Sequence, residues 1–282
     1  MKDLLGYNGK VCVVTGARSG MGASLAQMLV EQGAEVWTAS RGEVALEGQA
    51  GWAKLDQVSR DSIDAAFSEL PEKIDCFFGV AGVSGLKNNY VDTFIIDFVA
   101  NKYILDEYLS KRVAPGGSIT FVTSTAGVRW AKEELIAEYK AIVEADGWDA
   151  TVEAIHDLDM DDVGGNMAYM LAKRAMNYMV AAKAAEYATR DVRINAVLPC
   201  STGSRFATEF FEIMPSSRKQ FEQSVGNGKP IADPSVMGKA CLYLGSDLAE
   251  YVSGHCLVVD WGLEAATLTG QVMDMLGMEL VD

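Results

Sequence analysis

An apolar run that leads directly into a glycine-rich turn and then an amphipathic helix constrains the fold of this chain most strongly. The run is Lys10–Thr15, the turn reads TGARSGMG from Thr15 to Gly22, and the helix continues as ASLAQMLVEQG. In such a unit Gly16 allows a tight turn, Gly20 lets backbone approach a pyrophosphate, and Gly22 permits close packing of helix on strand. Free N–H groups at the helix start favour phosphate. The pattern predicts a dinucleotide-binding strand–turn–helix unit.

Six further short apolar runs alternate with stretches of helical periodicity. They are Glu35–Ala39, Gly51–Leu55, Ile74–Val80, Ser118–Thr123, Val192–Val197 and His255–Val259. This alternation is typical of βαβ units around a parallel sheet. We therefore expect an α/β fold, a Rossmann-type doubly wound parallel sheet of about seven strands, formed by residues 1–282 as a single domain.

One segment interrupts the alternation. Between Val128 and Gly165 the sequence predicts two amphipathic helices with a break at Asp146–Gly147. We interpret residues of about 128–165 as a helical insertion within the domain.

Composition excludes several classes of function. The formal charge of −15 and the lack of a Lys/Arg-rich face argue against a nucleic-acid partner. The five cysteines are isolated and no His set has zinc spacing, so we expect no metal site and a reducing compartment. No apolar run is long enough for a membrane span, and residues 1–10 lack the apolar core of a signal peptide. We expect a cytoplasmic protein with no membrane partner.

Tyr169 and Lys173 are four residues apart, so on a helix their side chains share one face. A tyrosine normally titrates near pH 10, and an adjacent ammonium is expected to lower that pKa into a range useful for proton transfer. Ser124, which follows a predicted strand, would then stabilise negative charge on a carbonyl oxygen. The absence of a Gly-x-Ser-x-Gly elbow and of a P-loop argues against a serine hydrolase and an NTPase.

Together these motifs resemble those of the short-chain dehydrogenase/reductase family. The matching segments are TGxxxGxG from Thr15, YxxxK from Tyr169, the serine segment Ser124–Gly127, Asn101 in VANKYILDEYL, the strand end Ile194–Pro199, and Val258–Gly262. The resemblance implies hydride transfer between a nicotinamide dinucleotide and an alcohol or carbonyl compound. It assigns proton transfer to Tyr169, carbonyl polarisation to Ser124, and a water in the proton relay to Asn101. Lys173 would tune Tyr169 and bind the nicotinamide ribose.

The resemblance also implies a bound dinucleotide. The expected cofactor-binding residues are Gly16, Arg18, Ser19, Gly20, Met21, Gly22, Ser40, Arg41, Asp56, Gln57, Ala81, Gly82, Tyr169, Lys173, Pro199, Thr202 and Ser204. Ser40 and Arg41 follow the second predicted strand, so no carboxylate lies there, and Arg18 lies in the glycine-rich turn. We therefore predict NADP(H) in preference to NAD(H). The alternative is that Arg41 is simply a solvated surface residue.

Two departures from the family pattern bear on the cofactor site. The family's NNAG is Gly79-Val80-Ala81-Gly82 here, which removes the asparagine side chains but keeps the close approach at Ala81 and Gly82. The usual PG is Pro199-Cys200. The long separation of Ser124 from Tyr169 and the loss of NNAG resemble the 3α-hydroxysteroid dehydrogenase/carbonyl reductase branch.

That branch suggests a hydroxysteroid, including bile-acid-like compounds, as substrate. Phe206, Phe210 and Met214 have the spacing of an amphipathic lid over an apolar alcohol or ketone held at Ser124 and Tyr169. The alternatives are that this stripe packs against the core or a partner subunit, that smaller ketones or a hydroxyacyl thioester are the substrates, and that the protein is a non-catalytic dinucleotide-binding regulator. The resemblance also implies a homo-oligomer.

Overall fold

Seven parallel strands form one sheet at the centre of the structure. The computed structural model describes residues 3–137, 139–160, 164–203 and 231–271. The strands are β1 (Val11–Thr15), β2 (Glu35–Ser40), β3 (Gly51–Lys54), β4 (Ile74–Gly79), β5 (Val113–Val122), β6 (Arg193–Pro199) and β7 (Cys256–Val259). Their order across the sheet is β3-β2-β1-β4-β5-β6-β7. This arrangement confirms the predicted doubly wound fold. From β1 the chain adds strands outward to β3 on one side, and from β4 it adds them outward to β7 on the other, so the strand order reverses between β1 and β4.

Helices cover both faces of the sheet and connect its strands. The α-helices are α1 (Gly20–Glu31), α2 (Arg60–Glu69), α3 (Tyr90–Phe94), α4 (Ala100–Tyr103), α5 (Ser110–Arg112), α6 (Glu133–Ile136), α7 (Lys140–Glu144), α8 (Gly147–His156), α9 (Gly165–Ala188), α10 (Pro234–Gly245) and α11 (Leu263–Leu268). Two π-helical segments, π1 (Ile95–Val99) and π2 (Ile104–Leu109), lie on either side of α4. Short 3₁₀ turns occupy Thr125–Gly127 and Asp247–Ala249.

Burial of both faces of the sheet explains why its strands are nearly continuous apolar runs. Successive side chains of β4 point to opposite faces: Phe77 packs in the cluster that contains Phe121, whereas Phe78 packs with Leu25 and Leu29 of α1. The strand predicted at Ser118–Thr123 in fact begins at Val113, which pairs with Ile74, and the register then shifts before Cys76 pairs with Ser118. Gly116, with φ +81°, lies in this irregular stretch.

The insertion is helical, and its predicted break is confirmed. Gly147 begins α8 with φ +78°, a conformation that favours glycine. The first of the two predicted helices is instead a pair of short helices, α6 and α7. Trp148 packs edge-on against Tyr103 at 5.7 Å between ring centroids, and Tyr139 packs on Tyr178 of α9. The insertion therefore packs against α4 and α9.

No helix among the described residues is both long and apolar enough to cross a membrane. The predictions of a single domain and of a homo-oligomer stay predictions.

Replacing Gly22 by Ala tests the turn on which the fold of the N-terminal unit depends. A Cβ at position 22 would lie 2.5 Å from the Gly16 carbonyl oxygen, and that backbone cannot move aside without opening the turn. We expect Gly22→Ala to lower the free energy of unfolding by about 1–3 kcal/mol. Ser24→Ala, two residues along α1, is the control and should change it little. Urea unfolding followed by circular dichroism measures both, and equal stabilities would contradict this account of the turn.

Candidate functional site

The predicted motifs meet at the carboxyl edge of the sheet, where the strand order reverses beside β1. Parallel strands bring their carboxyl ends to one edge, and ligands of doubly wound folds bind in the crevice at this reversal. Thr15 ends β1, Gly79 ends β4, and the loop after β5 begins near Ser124. The sheet therefore assembles in one place residues that are more than a hundred positions apart in the chain.

The glycine-rich turn lies directly against the loop that follows β4. Gly16 has φ +71°, and a Cβ there would lie 2.7 Å from both Cα and N of Ala81. The Thr15 hydroxyl, which is fully buried, accepts hydrogen bonds from the N–H groups of Val80 (3.1 Å) and Ala81 (3.2 Å). Thr15 therefore fixes the loop in which the family's asparagines are missing.

The start of α1 has the chemistry of a phosphate site. Ser19 is the N-cap residue, but within the described part of the chain its side chain makes no cap hydrogen bond. No acidic residue lies in the first turn of the helix, so its positive end is not neutralised. Ser19 is exposed, Gly20 and Met21 are half-buried, and Gly20 has φ +59°. This cradle of small residues and N–H donors fits a dinucleotide pyrophosphate.

The residues expected at the adenosine end lie beside a groove of about 390 Å³ whose lining includes Arg18, Gln27 and Glu43. Arg18 and Arg41 are exposed. Arg18 extends over Gly42, where a Cβ would lie 3.1 Å from its Nη1 atom. Two guanidinium groups thus lie near the end of β2, as the sequence predicted.

The Ser40 side chain is used within the turn after β2. Its hydroxyl is nearly buried, donates to the Gly42 carbonyl (2.6 Å) and accepts from Trp52 Nε1 (3.1 Å). The Ser40 hydroxyl therefore closes the turn after β2, and its place at the cofactor stays a prediction. Asp56 is half-buried, and its carboxylate accepts from the Val58 N–H at 3.4 Å.

Ser124 is presented by a short turn that α9 holds in place. Its hydroxyl accepts a hydrogen bond from the Ala126 N–H (3.1 Å) at the start of the 3₁₀ turn. Asn177 Nδ2, one helical turn beyond Lys173, donates to the Gly127 carbonyl at 2.9 Å. Sequence analysis missed Asn177, although its spacing from Lys173 puts the two on one face of α9.

Tyr169 and Lys173 share one face of α9, as predicted. The Tyr169 hydroxyl is hydrogen-bonded to the Ser124 side chain, which joins the strand-end residue to the helix residue. Lys173 Nζ lies 5.3 Å from the centroid of the Tyr169 ring. The lysine side chain is 4% exposed and the tyrosine is half-buried, so both groups interact in a region with little water.

The expected lowering of the Tyr169 pKa is wrong in this structure. Burial raises the pKa well above its usual value, the Ser124 hydrogen bond lowers it by less, and the negative charge of Asp97 raises it further. The Lys173 ammonium does not offset these effects because its nearest charged partner is a carboxylate, at 3.3 Å from Asp97 Oδ1.

Asp97 is the main site residue that sequence analysis missed. It is fully buried on π1, and its Oδ1 atom also accepts from the Val83 N–H at 2.9 Å. A signal was available, because a lone carboxylate interrupts the apolar stretch FIIDFVAN four residues before Asn101. Burial of such a charge requires a partner.

Asn101 is buried between two helical irregularities, and its amide is used within the protein. Its Nδ2 donates to the Asp97 carbonyl (3.3 Å), and its Oδ1 accepts from Gln57 Nε2 (3.4 Å). Gln57, expected at the cofactor, is 5% exposed and directs its side chain inward to Asn101. The Gln57 side chain therefore contacts Asn101, and the role of Gln57 at the cofactor stays a prediction.

The remaining predicted residues fall at or beyond the end of β6. Pro199 ends this strand, and Thr202, 5% exposed, pairs with Ala232 in an isolated bridge. Gly82 is exposed at the opposite side of the crevice. Ser204, Phe206, Phe210 and Met214 lie outside the described residues.

Comparison with known proteins identifies the family of this chain. The short chain dehydrogenase profile matches residues 10–141, and the profile described as enoyl-(acyl carrier protein) reductase matches residues 159–264. A coniferyl-alcohol dehydrogenase of a Pseudomonas species is 29% identical over 259 residues, covering 90% of this chain and 96% of that protein. A 3beta-hydroxysteroid dehydrogenase of Mediterraneibacter gnavus is 25% identical, covering 91% of this chain and 95% of that protein.

A solved structure has the same fold. The 3-alpha-hydroxysteroid dehydrogenase of Pseudomonas sp. B-0831, complexed with NADH, superposes with a TM-score of 0.76 at 21% identity, covering 93% of this chain and all of that one. The chain belongs to the short-chain dehydrogenase/reductase family. It is an oxidoreductase that acts on alcohols or ketones with NAD(H) or NADP(H).

Replacing Tyr169 by Phe tests whether the Ser124–Tyr169 hydrogen bond belongs to the catalytic centre. Loss of a positioned acid/base should lower kcat by about 100- to 10,000-fold, while dinucleotide affinity stays within a few-fold. Tyr178→Phe on the same helix is the matched control and should keep its activity. Steady-state absorbance at 340 nm and fluorescence titration with NADPH provide the two readouts. Equal losses in both variants would remove Tyr169 from the centre.

Proposed function

We propose that this short-chain dehydrogenase/reductase interconverts a secondary alcohol and a ketone on a hydroxysteroid or bile-acid-like substrate, with NADP(H) preferred to NAD(H). The observation that carries the catalytic part is the hydrogen bond between Ser124 and Tyr169 at the carboxyl edge of the sheet. It joins the hydroxyl that would polarise the carbonyl to the hydroxyl that would donate the proton.

The proposed roles follow from the chemistry of each group. A bound nicotinamide supplies the hydride for reduction and accepts it for oxidation. In reduction, the Ser124 hydroxyl hydrogen-bonds the carbonyl oxygen and stabilises the negative charge that develops on it. Tyr169 gives its proton to the same oxygen, and in oxidation it takes that proton back. Asn101, whose side-chain oxygen accepts a hydrogen bond from Gln57, would hold a water for proton return.

Lys173 has two roles in this proposal. Its ammonium would bind the nicotinamide ribose, and its charge would balance negative charge formed at Tyr169. The half-buried face of α9 on which both residues lie excludes bulk water, so these interactions are stronger than on a surface.

Preference for NADP(H) is supported by the two arginines near the end of β2. Guanidinium groups bind phosphate through charge-assisted hydrogen bonds, and both Arg18 and Arg41 are exposed to solvent and so open to a ligand. Glu43, in the groove beside Arg18, is the residue that favours the ribose hydroxyls of NAD(H) instead. The excess of positive charge supports the proposed preference for NADP(H).

The steroid assignment is supported by the 3beta-hydroxysteroid dehydrogenase relative and by the apolar spacing of Phe206, Phe210 and Met214 in the sequence. A flat polycyclic ligand suits an apolar stripe of this kind. A second candidate is an aryl allylic alcohol, which the higher identity to the coniferyl-alcohol dehydrogenase favours. Smaller carbonyls and hydroxyacyl thioesters are further alternatives. A non-catalytic regulator would need the glycine-rich turn but not Ser124, Tyr169 and Lys173 together.

Replacing Arg41 by Asp tests the cofactor assignment. The variant loses a cation and gains a repulsive carboxylate, so we expect the ratio of kcat/KM for NADPH to that for NADH to fall about tenfold or more. Lys111→Asp is the control, because it makes the same change of charge on α5, which precedes the amino end of β5. An unchanged ratio in Arg41→Asp would overturn the proposed phosphate contact.

A substrate panel tests the proposed class. We expect kcat/KM for 3-hydroxysteroids and bile acids with NADP⁺ to exceed that for coniferyl alcohol and for small secondary alcohols, with the reverse reactions on the ketones in the same order. Highest activity on coniferyl alcohol would support the second candidate. Activity on small carbonyls alone would remove the steroid. Tight NADPH binding without turnover of any compound would support the non-catalytic regulator.

A further inference from the structure

We propose that Asn177 is a positioning residue for Ser124: its buried side-chain amide fixes the end of the turn that presents the Ser124 hydroxyl to the carbonyl oxygen. The inference rests on the role proposed above for Ser124. It adds a residue that belongs to none of the motifs described for the chain, and that acts through the backbone of the turn rather than on the substrate.

The turn after β5 links the Ser124 hydroxyl directly to Gly127. The two residues lie at either end of a single 3₁₀ turn. The Gly127 N–H donates to the Ser124 carbonyl at 2.9 Å, and the Ala126 N–H donates to the Ser124 hydroxyl at 3.1 Å. Because hydrogen bonds as well as the chain join the two ends, a displacement of Gly127 moves the Ser124 hydroxyl with it.

The chain on the other side of Ser124 is fixed by the sheet. Thr123 is 4% exposed, and its N–H and its hydroxyl both donate to the Val197 carbonyl of β6, at 2.8 Å and 3.3 Å. Ser124 therefore lies between a residue that is bonded to β6 and a turn whose far end needs its own support. The direction of its hydroxyl depends on what holds Gly127.

Gly127 is held by α9. Asn177 is fully buried, and its Nδ2 atom donates to the Gly127 carbonyl at 2.9 Å. A Cβ at Gly127 would lie 2.7 Å from Asn177 Nδ2 and 2.8 Å from the Lys173 carbonyl oxygen, so only glycine allows this approach. The same helix carries Tyr169. The amide of Asn177 thus fixes the Ser124 turn against the helix that bears the proposed proton donor.

The other end of the Asn177 amide separates a positioning role from simple packing. Its Oδ1 atom is buried and has no hydrogen-bond partner among the described residues. A buried amide with one unpaired end is less favourable than an apolar side chain of similar shape, such as leucine. Its side-chain hydrogen bond goes to the turn that carries Ser124. Departures of this kind from the best packing are expected at functional sites.

Replacing Asn177 by Leu removes the amide and keeps a side chain of similar size. We expect kcat on the best substrate of the panel above to fall about tenfold, because the Ser124 hydroxyl is displaced. Ser124→Ala should lower kcat more, by roughly 100-fold or more, because the hydroxyl is removed. Affinity for NADPH, measured by fluorescence titration, should stay unchanged in Asn177→Leu.

Tyr187→Phe is the matched control. Tyr187 lies on the same helix, is 1% exposed, and donates from its hydroxyl to the Leu105 carbonyl at 3.2 Å. The variant therefore also leaves a buried carbonyl without its donor, but ten residues, or about 15 Å, further along α9. Its kcat should equal that of wild type. A tenfold loss in Tyr187→Phe as well would show a general effect of loosening the helix and would overturn the proposal.

A double-mutant cycle tests whether Asn177 acts through Ser124. In the Ser124→Ala background, Asn177→Leu should lower kcat by less than about twofold, because the hydroxyl that it displaces is already absent. A purely structural role would give the same fold loss in both backgrounds, and that result would overturn the proposal. Asn177→Ser, whose hydroxyl ends one bond short of the amide nitrogen, adds no bulk and should show the same pattern if Asn177→Leu does not fold.

The cycle also separates this inference from the proposed function. If Ser124→Ala loses activity while the effects of the two substitutions multiply, Ser124 keeps its role and the inference about Asn177 is wrong. If Ser124→Ala keeps the kcat of wild type, the role proposed for Ser124 is wrong, and the role of Asn177 with it. Absence of turnover of every compound in the panel would overturn both.

Discussion

The backbone contact between the glycine-rich turn and the loop after β4 is the constraint on which the site depends. A Cβ at Gly16 would lie only 2.7 Å from the backbone of Ala81. Any residue larger than glycine would therefore separate the end of β1 from the loop after β4. The buried Thr15 hydroxyl holds the same loop through two N–H groups. Gly82 and Val83, which follow in that loop, then contact the Asp97–Lys173 pair. The phosphate end and the catalytic end of the crevice are therefore coupled through the loop residues Val80, Ala81, Gly82 and Val83.

Helix α9 makes the second connection. Tyr169 is joined to Ser124, Lys173 to Asp97, and Asn177 to Gly127, each about one helical turn from the next. One rigid helix thus sets the relative positions of the β5 turn, the π1 segment and the crevice. The π-helical turns on either side of Asn101 fit this view, since such turns often occur at functional sites.

Much of this arrangement could be predicted because it depends on local patterns. The strands, the glycine-rich turn and the Tyr169–Lys173 spacing follow from periodicity and from helix geometry. The contacts that could not be predicted depend on which way a side chain turns. Ser40 and Gln57 are polar residues at expected positions whose side chains bond inward, to Gly42 and to Asn101. Asp97 required knowing that π1 places its carboxylate under Lys173, which no single segment of sequence encodes.

The pH dependence of both reaction directions in one preparation tests the central claim most directly. If Tyr169 is the acid/base, kcat for ketone reduction should be constant through neutral pH and fall in alkali, while kcat for alcohol oxidation rises over the same alkaline range. The two curves should share one apparent pKa, because one group is protonated for one direction and ionised for the other. Curves that change in the same direction, or that persist in Tyr169→Phe, would contradict the account.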